Sequence, residues 1–307
     1  EFISPKTNFF QKKKKYFKYL ICLYLLFKQY RKNKNIAVFS FQANVYAIIL
    51  SNILRIKIIS RSNTSPSGWS NNFIKRWIFK TILKNANLII VNSVEFKKEM
   101  KRKFNLNCKL IYNPLNKKEI LKKSNEKINS KFYNGSKYLK IINVARFTDQ
   151  KDHITLLKAF KIINDKINSK LLILGQGVNE SKINNFIKLN NLSNNVKVLR
   201  FQNNPYKFIK KSDVFILTSR YEGLPNVLLE SIALKKLVIS SNCKTGPKEI
   251  LNNGKYGILF KVGDYKELSS KVIEYSKNKR KYKKMIIKSY NNLHRYDFNK
   301  NCNEYYK

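Results

Sequence analysis

The sequence predicts an α/β protein built from two doubly wound halves, and three observations carry that expectation. Its 307 residues are 43% hydrophobic and 13% aromatic, enough apolar material for a sizeable core and too much for a disordered chain. From residue 35 onward, short β-branched runs alternate with longer segments of helical period, the pattern of parallel βαβ units. Residues 116–138 then lose that rhythm and become rich in Lys, Asn and Ser, the composition of a linker.

Residues 1–115 form the first half. The alternation predicts a helix at 16–31, a strand at 36–41, a helix at 44–54, a strand at 56–60, a helix at 72–84, a strand at 88–92, a helix at 94–104 and a strand at 109–112. A doubly wound domain opens on a strand and a glycine-containing turn, and nothing before residue 35 supplies either. The first half is therefore expected to be incomplete at its amino end. Residues 139–307 form the second half, with strands at 139–145, 170–174, 196–200, 213–218, 237–241 and 257–260. Helices lie between them, and two long basic helices follow at 265–277 and 281–294. Sheets of this kind bind ligands beyond the carboxyl ends of their strands, so the chemistry is expected in a cleft between the halves.

Charge narrows the partners. The formal net charge is +45, with 53 Lys but only 10 Arg, scattered along the chain among 40 Asn. Much of this reads as the amino-acid drift of an AT-rich genome. The excess still creates a field favouring polyanions, anionic lipid or phosphorylated ligands. Nucleic acid is not an expected partner, because Arg is scarce for base readout and no basic face carries interleaved aromatics. The longest uninterrupted apolar run, Tyr19 to Phe27, falls far short of the ~20 residues that span a bilayer. Cysteines at 22, 108, 243 and 302 lack the spacing of a zinc site or a disulfide framework, so a reducing cytoplasm is expected. With two histidines and no Asp-x-Asp, no metal and no cofactor is expected.

The segment from Ser219 to Glu230 holds the most chemistry. Val214 to Leu217 is a buried strand, Gly223 permits a tight turn, and Pro225 suits the first turn of the next helix. Glu222 then falls at the carboxyl end of the strand, with Glu230 about two turns into the helix. Amides near Gly223, Leu224, Asn226 and Val227 offer a place for a diphosphate at a helix start. From spacing alone, the two glutamates are equally well read as solvated helix-end acids.

In these residues the chain resembles the retaining GT-B glycosyltransferases of family 4, the group 1 transferases, whose signature is two glutamates separated by seven residues, as Glu222 and Glu230 are. Three further blocks look like the family in the right order. They are Asn143-Val144-Ala145-Arg146-Phe147 with Gln150-Lys151-Asp152, Leu171 to Gly177, and Thr245-Gly246-Pro247-Lys248-Glu249-Ile250 with Asn253 to Gly257. The resemblance implies a GT-B fold of two Rossmann-like domains facing across a cleft. Arg146 and Lys151 would bind the donor diphosphate, where fixed cations stabilise a leaving group that gains negative charge without a metal ion. Glu222 would stand near the donor sugar and Glu230 would hold the ribose hydroxyls.

Gly175 and Gly177 follow a strand, with Glu180 standing where a dinucleotide fingerprint has its third glycine. The pair reads as a close backbone approach to nucleotide or as a plain turn. His153 opens a helix and reads as a surface or capping residue rather than a general base. Many family members carry a histidine after the strand equivalent to 56–60, where this chain has Arg61-Ser62-Asn63-Thr64. Subgroups that transfer N-acetylhexosamines onto lipid-linked glycans look similar there, which makes Arg61 and Asn63 candidate substrate contacts, or else parts of a Ser-, Asn- and Pro-rich turn.

The resemblance thus implies a cytoplasmic, metal-independent hexosyltransferase, peripheral on the inner face of the plasma membrane. It would move a hexosyl or N-acetylhexosaminyl unit from a UDP-sugar donor to a polysaccharide or lipid-linked glycan acceptor, with retention. The alternatives are a nucleotide-sugar epimerase of similar architecture and an inactive remnant that only binds nucleotide sugar.

Overall fold

The computed structural model describes residues 15–41, 44–63, 72–128, 132 and 137–306, and the chain divides into two compact units. The first contains residues up to Asn92 together with Lys97–Leu110. Its elements are α1 (Lys15–Lys32), β1 (Ala37–Ser40), α2 (Asn44–Ile53), β2 (Lys57–Ser62), α3 (Phe73–Lys84), β3 (Leu88–Val91), α4 (Val94–Phe104) and β4 (Lys109–Leu110). The strands pair in parallel in the order β1-β2-β3-β4. Parallel neighbours need crossover helices, and the helical segments between the strands supply them. The strand expected at 109–112 is shortened to two residues. Ile58, Ile90 and Met100 are fully or almost fully buried in this unit. Asn72 caps α3 by accepting the Lys75 N–H at 3.1 Å.

The second unit takes Ser93–Phe96, the first turn of α4, and Ile111–Lys307. Its opening helix, α5 (Lys117–Ser124), lies inside the segment read as a linker. Asn116 caps it, and Ile120 is buried against the same apolar cluster as Leu228 and Leu229. One apolar residue in register with a larger surface is enough to anchor so short a helix, and composition does not reveal it. Then come β5 (Leu139–Val144), α6 (His153–Lys166), β6 (Ser169–Leu174), α7 (Glu180–Leu189), β7 (Val196–Leu199), α8 (Tyr206–Lys211), β8 (Val214–Leu217), α9 (Asn226–Ala233), β9 (Leu237–Ser241), α10 (Pro247–Ile250) and β10 (Ile258–Phe260). Helices α11 (Tyr265–Lys277), α12 (Lys279–Asn291) and α13 (Phe298–Asn303) complete it. The second basic helix ends at Asn291, and a 3-10 turn at Asn292–Tyr296 takes over the rest of its expected length.

Six parallel strands run in the order β10-β9-β8-β5-β6-β7. Strand periodicity sorts their side chains onto two faces. Ile141, Ile173, Ile216 and Ile239 pack with Leu157 and Phe160 of α6, Ile183 of α7 and Val272 of α11. Ile142, Leu172, Phe215 and Val238 pack with Ile209 of α8 and with Leu228 and Ile232 of α9. The helix after β5 therefore covers one face and the helix after β8 the other, although β5 and β8 are neighbours. Their carboxyl ends diverge there, at the switch point where sheets of this kind hold ligands.

Candidate functional site

Two loops meet at the switch point. The first follows β5 from Ala145 to Asp152, and the second follows β8 from Thr218 to Pro225. Backbone and side-chain bonds stitch them together. The Arg220 N–H donates to the Gln150 carbonyl at 2.8 Å, and the Gln150 side-chain amide donates to the Tyr221 carbonyl at 2.8 Å. The Thr218 hydroxyl lies 2.9 Å from the Lys151 carbonyl and 3.0 Å from that of Asp152. Asp152 adopts a left-handed φ of 46°, which lets its carboxylate cap α6 and accept the Arg220 Nε–H at 3.2 Å.

Lys151 and Glu222 form an ion pair across these loops, with side chains only 13% and 7% exposed. Arg146, just past β5, is exposed, and its guanidinium has no partner among the described residues. The turn carrying Glu222 is backed by the loop after β9. The Thr245 hydroxyl donates to the Glu222 carbonyl, and a Cβ on Gly246 would collide with the Gly223 carbonyl oxygen and with Pro225. Gly246 has φ 73° and Thr245 φ 66°, a conformation costly for a β-branched residue and sustained here by contacts on both sides. The nearby Cys243 thiol is pushed up to about 12 by burial and by the Glu222 carboxylate, which keeps it an inert apolar neighbour.

Pro225 is the N-cap of α9 rather than a residue of its first turn, so Glu230 lies just over one turn into the helix. At N1 and N2, the Asn226 and Val227 amides have no intrahelical acceptor. Leu224 is buried, and its carbonyl accepts a bond from the Asn113 amide at 3.2 Å, while the same group donates to the Asn226 Oδ1 at 2.6 Å. Burial pushes the Glu230 carboxyl up to about 7, opposed by a hydrogen bond from the Tyr206 hydroxyl. Burial and the Glu230 carboxylate in turn push Tyr206 up to about 12.

Gly175 and Gly177 flank the β5 loop. The Gln176 carbonyl accepts the Phe147 N–H at 3.0 Å, and a Cβ on either glycine would strike the carbonyl oxygen of Ala145 or of Phe147. The approach that demands glycine at both positions is thus made by the loop bearing Arg146 and Lys151. In the first unit, Arg61 lies near the carboxyl end of β2, largely buried, with its guanidinium carbon 5.7 Å from the Phe41 ring centroid, and the Asn44 amide donates to its carbonyl at 2.9 Å. Asn63 is exposed just beyond that strand. His153 is no surface residue. It is 3% exposed, its ring set edge-on to Phe147 at 5.1 Å, because α6 packs its first turn onto the β5 loop.

Motif reading assigned no role to Asn113, Gln150, Tyr206 or Thr245. Asn113 and Tyr206 lie in other elements, brought near only by folding. Glu249 is another such case: its carboxylate accepts the Val94 N–H at 3.1 Å, the Glu95 N–H at 3.2 Å and the Tyr112 hydroxyl at 2.8 Å, capping the first turn of α4.

A paired cation and carboxylate, helix-start amides and a buried acid thus gather at a Rossmann-type switch point, where doubly wound sheets hold ligands. The chain belongs to the glycosyl transferases group 1 family, whose profile matches residues 124–292, more than half of it. It is 38% identical over 201 residues to an uncharacterised glycosyltransferase of Methanocaldococcus jannaschii, covering 60% of this chain and 50% of that protein. Over 216 residues it is 31% identical to the N-acetylgalactosamine-N,N'-diacetylbacillosaminyl-diphospho-undecaprenol 4-alpha-N-acetylgalactosaminyltransferase of Campylobacter jejuni, covering 68% of this chain and 57% of that one. The chain thus spans about half the length of the curated relatives it matches. Among solved structures, Anabaena HepE in complex with UDP superposes with a TM-score of 0.76 at 17% identity, covering 92% of this chain and 80% of that one. The fold is that of the GT-B glycosyltransferases, with two Rossmann-like units.

Proposed function

We propose that this chain carries the donor site of an enzyme that moves a hexosyl or N-acetylhexosaminyl unit from a UDP-sugar to a polysaccharide or lipid-linked glycan, with retention and without a metal ion. The observation that carries the reading is the meeting of Lys151, Glu222 and the amino end of α9 where β5 and β8 diverge. As the bond from sugar C1 to the diphosphate oxygen breaks, charge collects on the leaving diphosphate. Arg146 and Lys151 would meet that charge, with the Asn226 and Val227 amides and the positive end of the helix beside it. Glu222 would face the sugar, and Glu230 would accept from the ribose hydroxyls. Two relatives support the substrates: HepE was crystallised with UDP, and the C. jejuni relative is named for a diphospho-undecaprenol-linked acceptor. Membership of a transferase family leaves the epimerase alternative without support.

The division of labour is testable by titrating UDP and measuring turnover in two variants. Glu230→Gln is expected to weaken UDP. Glu222→Gln removes the partner of Lys151, not a contact to the nucleotide, so it should leave UDP affinity intact while lowering turnover. Equal loss of UDP affinity in both variants would refute this assignment.

A further inference from the structure

Pro225 stands at the N-cap of α9 without a side-chain capping bond, so the residues on either side of it take their support from elsewhere in the fold. Asn113, in the segment that follows β4, supplies it. Its side-chain amide donates to the Leu224 carbonyl at 3.2 Å and to the Asn226 Oδ1 at 2.6 Å. That segment is itself held on both sides of Asn113. The Tyr112 hydroxyl donates to Glu249 at 2.8 Å and accepts from Arg295 at 3.0 Å, while the Leu115 N–H donates to the Tyr296 carbonyl at 2.8 Å. Ile111 and Leu115 are buried, so Asn113 presents its amide from a fixed backbone.

These bonds fix the polarity of two side chains. A backbone carbonyl only accepts, so the group that Asn113 turns to Leu224 is its NH2, and the group of Asn226 that receives the second bond is its oxygen. The Asn226 NH2 is then turned away from Asn113 and has no acceptor among the described residues. Asn226 is exposed and stands first in the helix, where side chains lean toward the amino end. Its NH2 thus lies at the same end as the Asn226 and Val227 backbone amides, which have no intrahelical acceptor. An exposed asparagine without a partner turns either end of its amide outward, and the bond to Asn113 removes that freedom before a ligand arrives. Building on the donor site proposed above, we propose that Asn113 is a positioning residue for donor binding, which holds the Asn226 side-chain amide donor-outward to meet an oxygen of the donor's diphosphate. The NH2 and the two backbone amides offer donors alone, which suits a group that only accepts.

Titration of the 307-residue chain with UDP and with uridine, which lacks the phosphates, followed by saturation-transfer NMR, tests this. Asn226→Ala is expected to weaken UDP about tenfold, the loss of a hydrogen bond to a charged group, and to leave uridine unchanged. Asn113→Ala should weaken UDP about three- to fivefold in the parent and have no further effect in the Asn226→Ala background, where nothing remains to be positioned. Asn226→Asp keeps an oxygen for Asn113 and places a carboxylate at a helix start, so the melting temperature should hold while UDP binds more weakly than to Asn226→Ala. The proposal falls if Asn226→Ala or Asn226→Asp binds UDP as the parent does, or if UDP and uridine weaken alike. It falls too if the two alanine substitutions add fully, which would make Asn113 a brace for the Leu224 turn and nothing more. A parent that binds no UDP would instead undo the donor site itself, and this role with it.

Discussion

At the scale of single residues, charge placement separates roles that the composition blurs. Lys151 is held in an ion pair while Arg146 points a free guanidinium outward, so the two cations start from different states. Replacing either by Ala is expected to cost about 2–4 kcal/mol of transition-state stabilisation, read from kcat/KM. An unchanged efficiency in both variants would remove them from the diphosphate site. Glu230 and His153 set opposing pH dependences. Glu230 holds its proton more tightly when folded, so its contribution to stability is full below about 4.5 and is lost as the pH rises through about 7. His153 holds its proton less tightly, so its contribution is present above about 6.5 and is lost as the pH falls toward 4. Relative to the parent, Glu230→Gln should therefore gain stability as the pH rises, by an amount on the order of 2–3 kcal/mol. Urea denaturation at pH 5 and about pH 8 checks this. Parallel pH–stability curves for parent and variant would contradict the burial argument.

At the scale of elements, the loop after β9 acts as a buttress. Gly246 touches the Glu222–Pro225 turn so closely that a methyl group cannot enter without moving it. Gly246→Ala also places a side chain at φ 73°, so it should destabilise by about 1–3 kcal/mol. Turnover should fall further than the stability loss explains, because the displaced turn carries Glu222. A variant with normal melting temperature and normal kcat would show that the turn does not depend on this contact. The family-like Thr-Gly-Pro sequence thus has a mechanical reason: it supports the turn that carries the Glu222 carboxylate.

At the scale of the whole chain, the +45 charge is spread over both halves, since residues 1–115 alone account for +20. Among the described residues no helix is long and apolar enough to cross a membrane. The first unit nonetheless exposes Leu20 and Tyr24 on α1, and Ile74 and Trp77 on α3, among Lys75, Arg76 and Lys80. Basic residues near an anionic surface contribute about 1 kcal/mol each, and exposed aromatics suit the interface. Co-sedimentation with liposomes is expected to increase with anionic lipid content, to fall with salt, and to weaken in Trp77→Ser. Binding indifferent to both lipid charge and salt would reduce the basic excess to composition alone.

The sequence by itself determined the two-unit α/β order and nearly every element, because apolar periods of two and 3.6 residues are local properties that burial rewards directly. Leu139–Val144 and Tyr265–Lys277 lie within a residue of where periodicity puts them. The family-like blocks around them made Arg146, Lys151, Glu222 and Glu230 legible as candidates, where spacing alone left the two glutamates equally well read as solvated acids. Only the tertiary structure decided that β5 and β8 are neighbours, that Lys151 closes on Glu222, and that Tyr206 meets Glu230. It buried His153 as well, against the expectation of a surface residue. Each of these depends on which strands sit side by side, and strand order follows from packing two apolar faces at once, a property of the whole sheet that no local window contains.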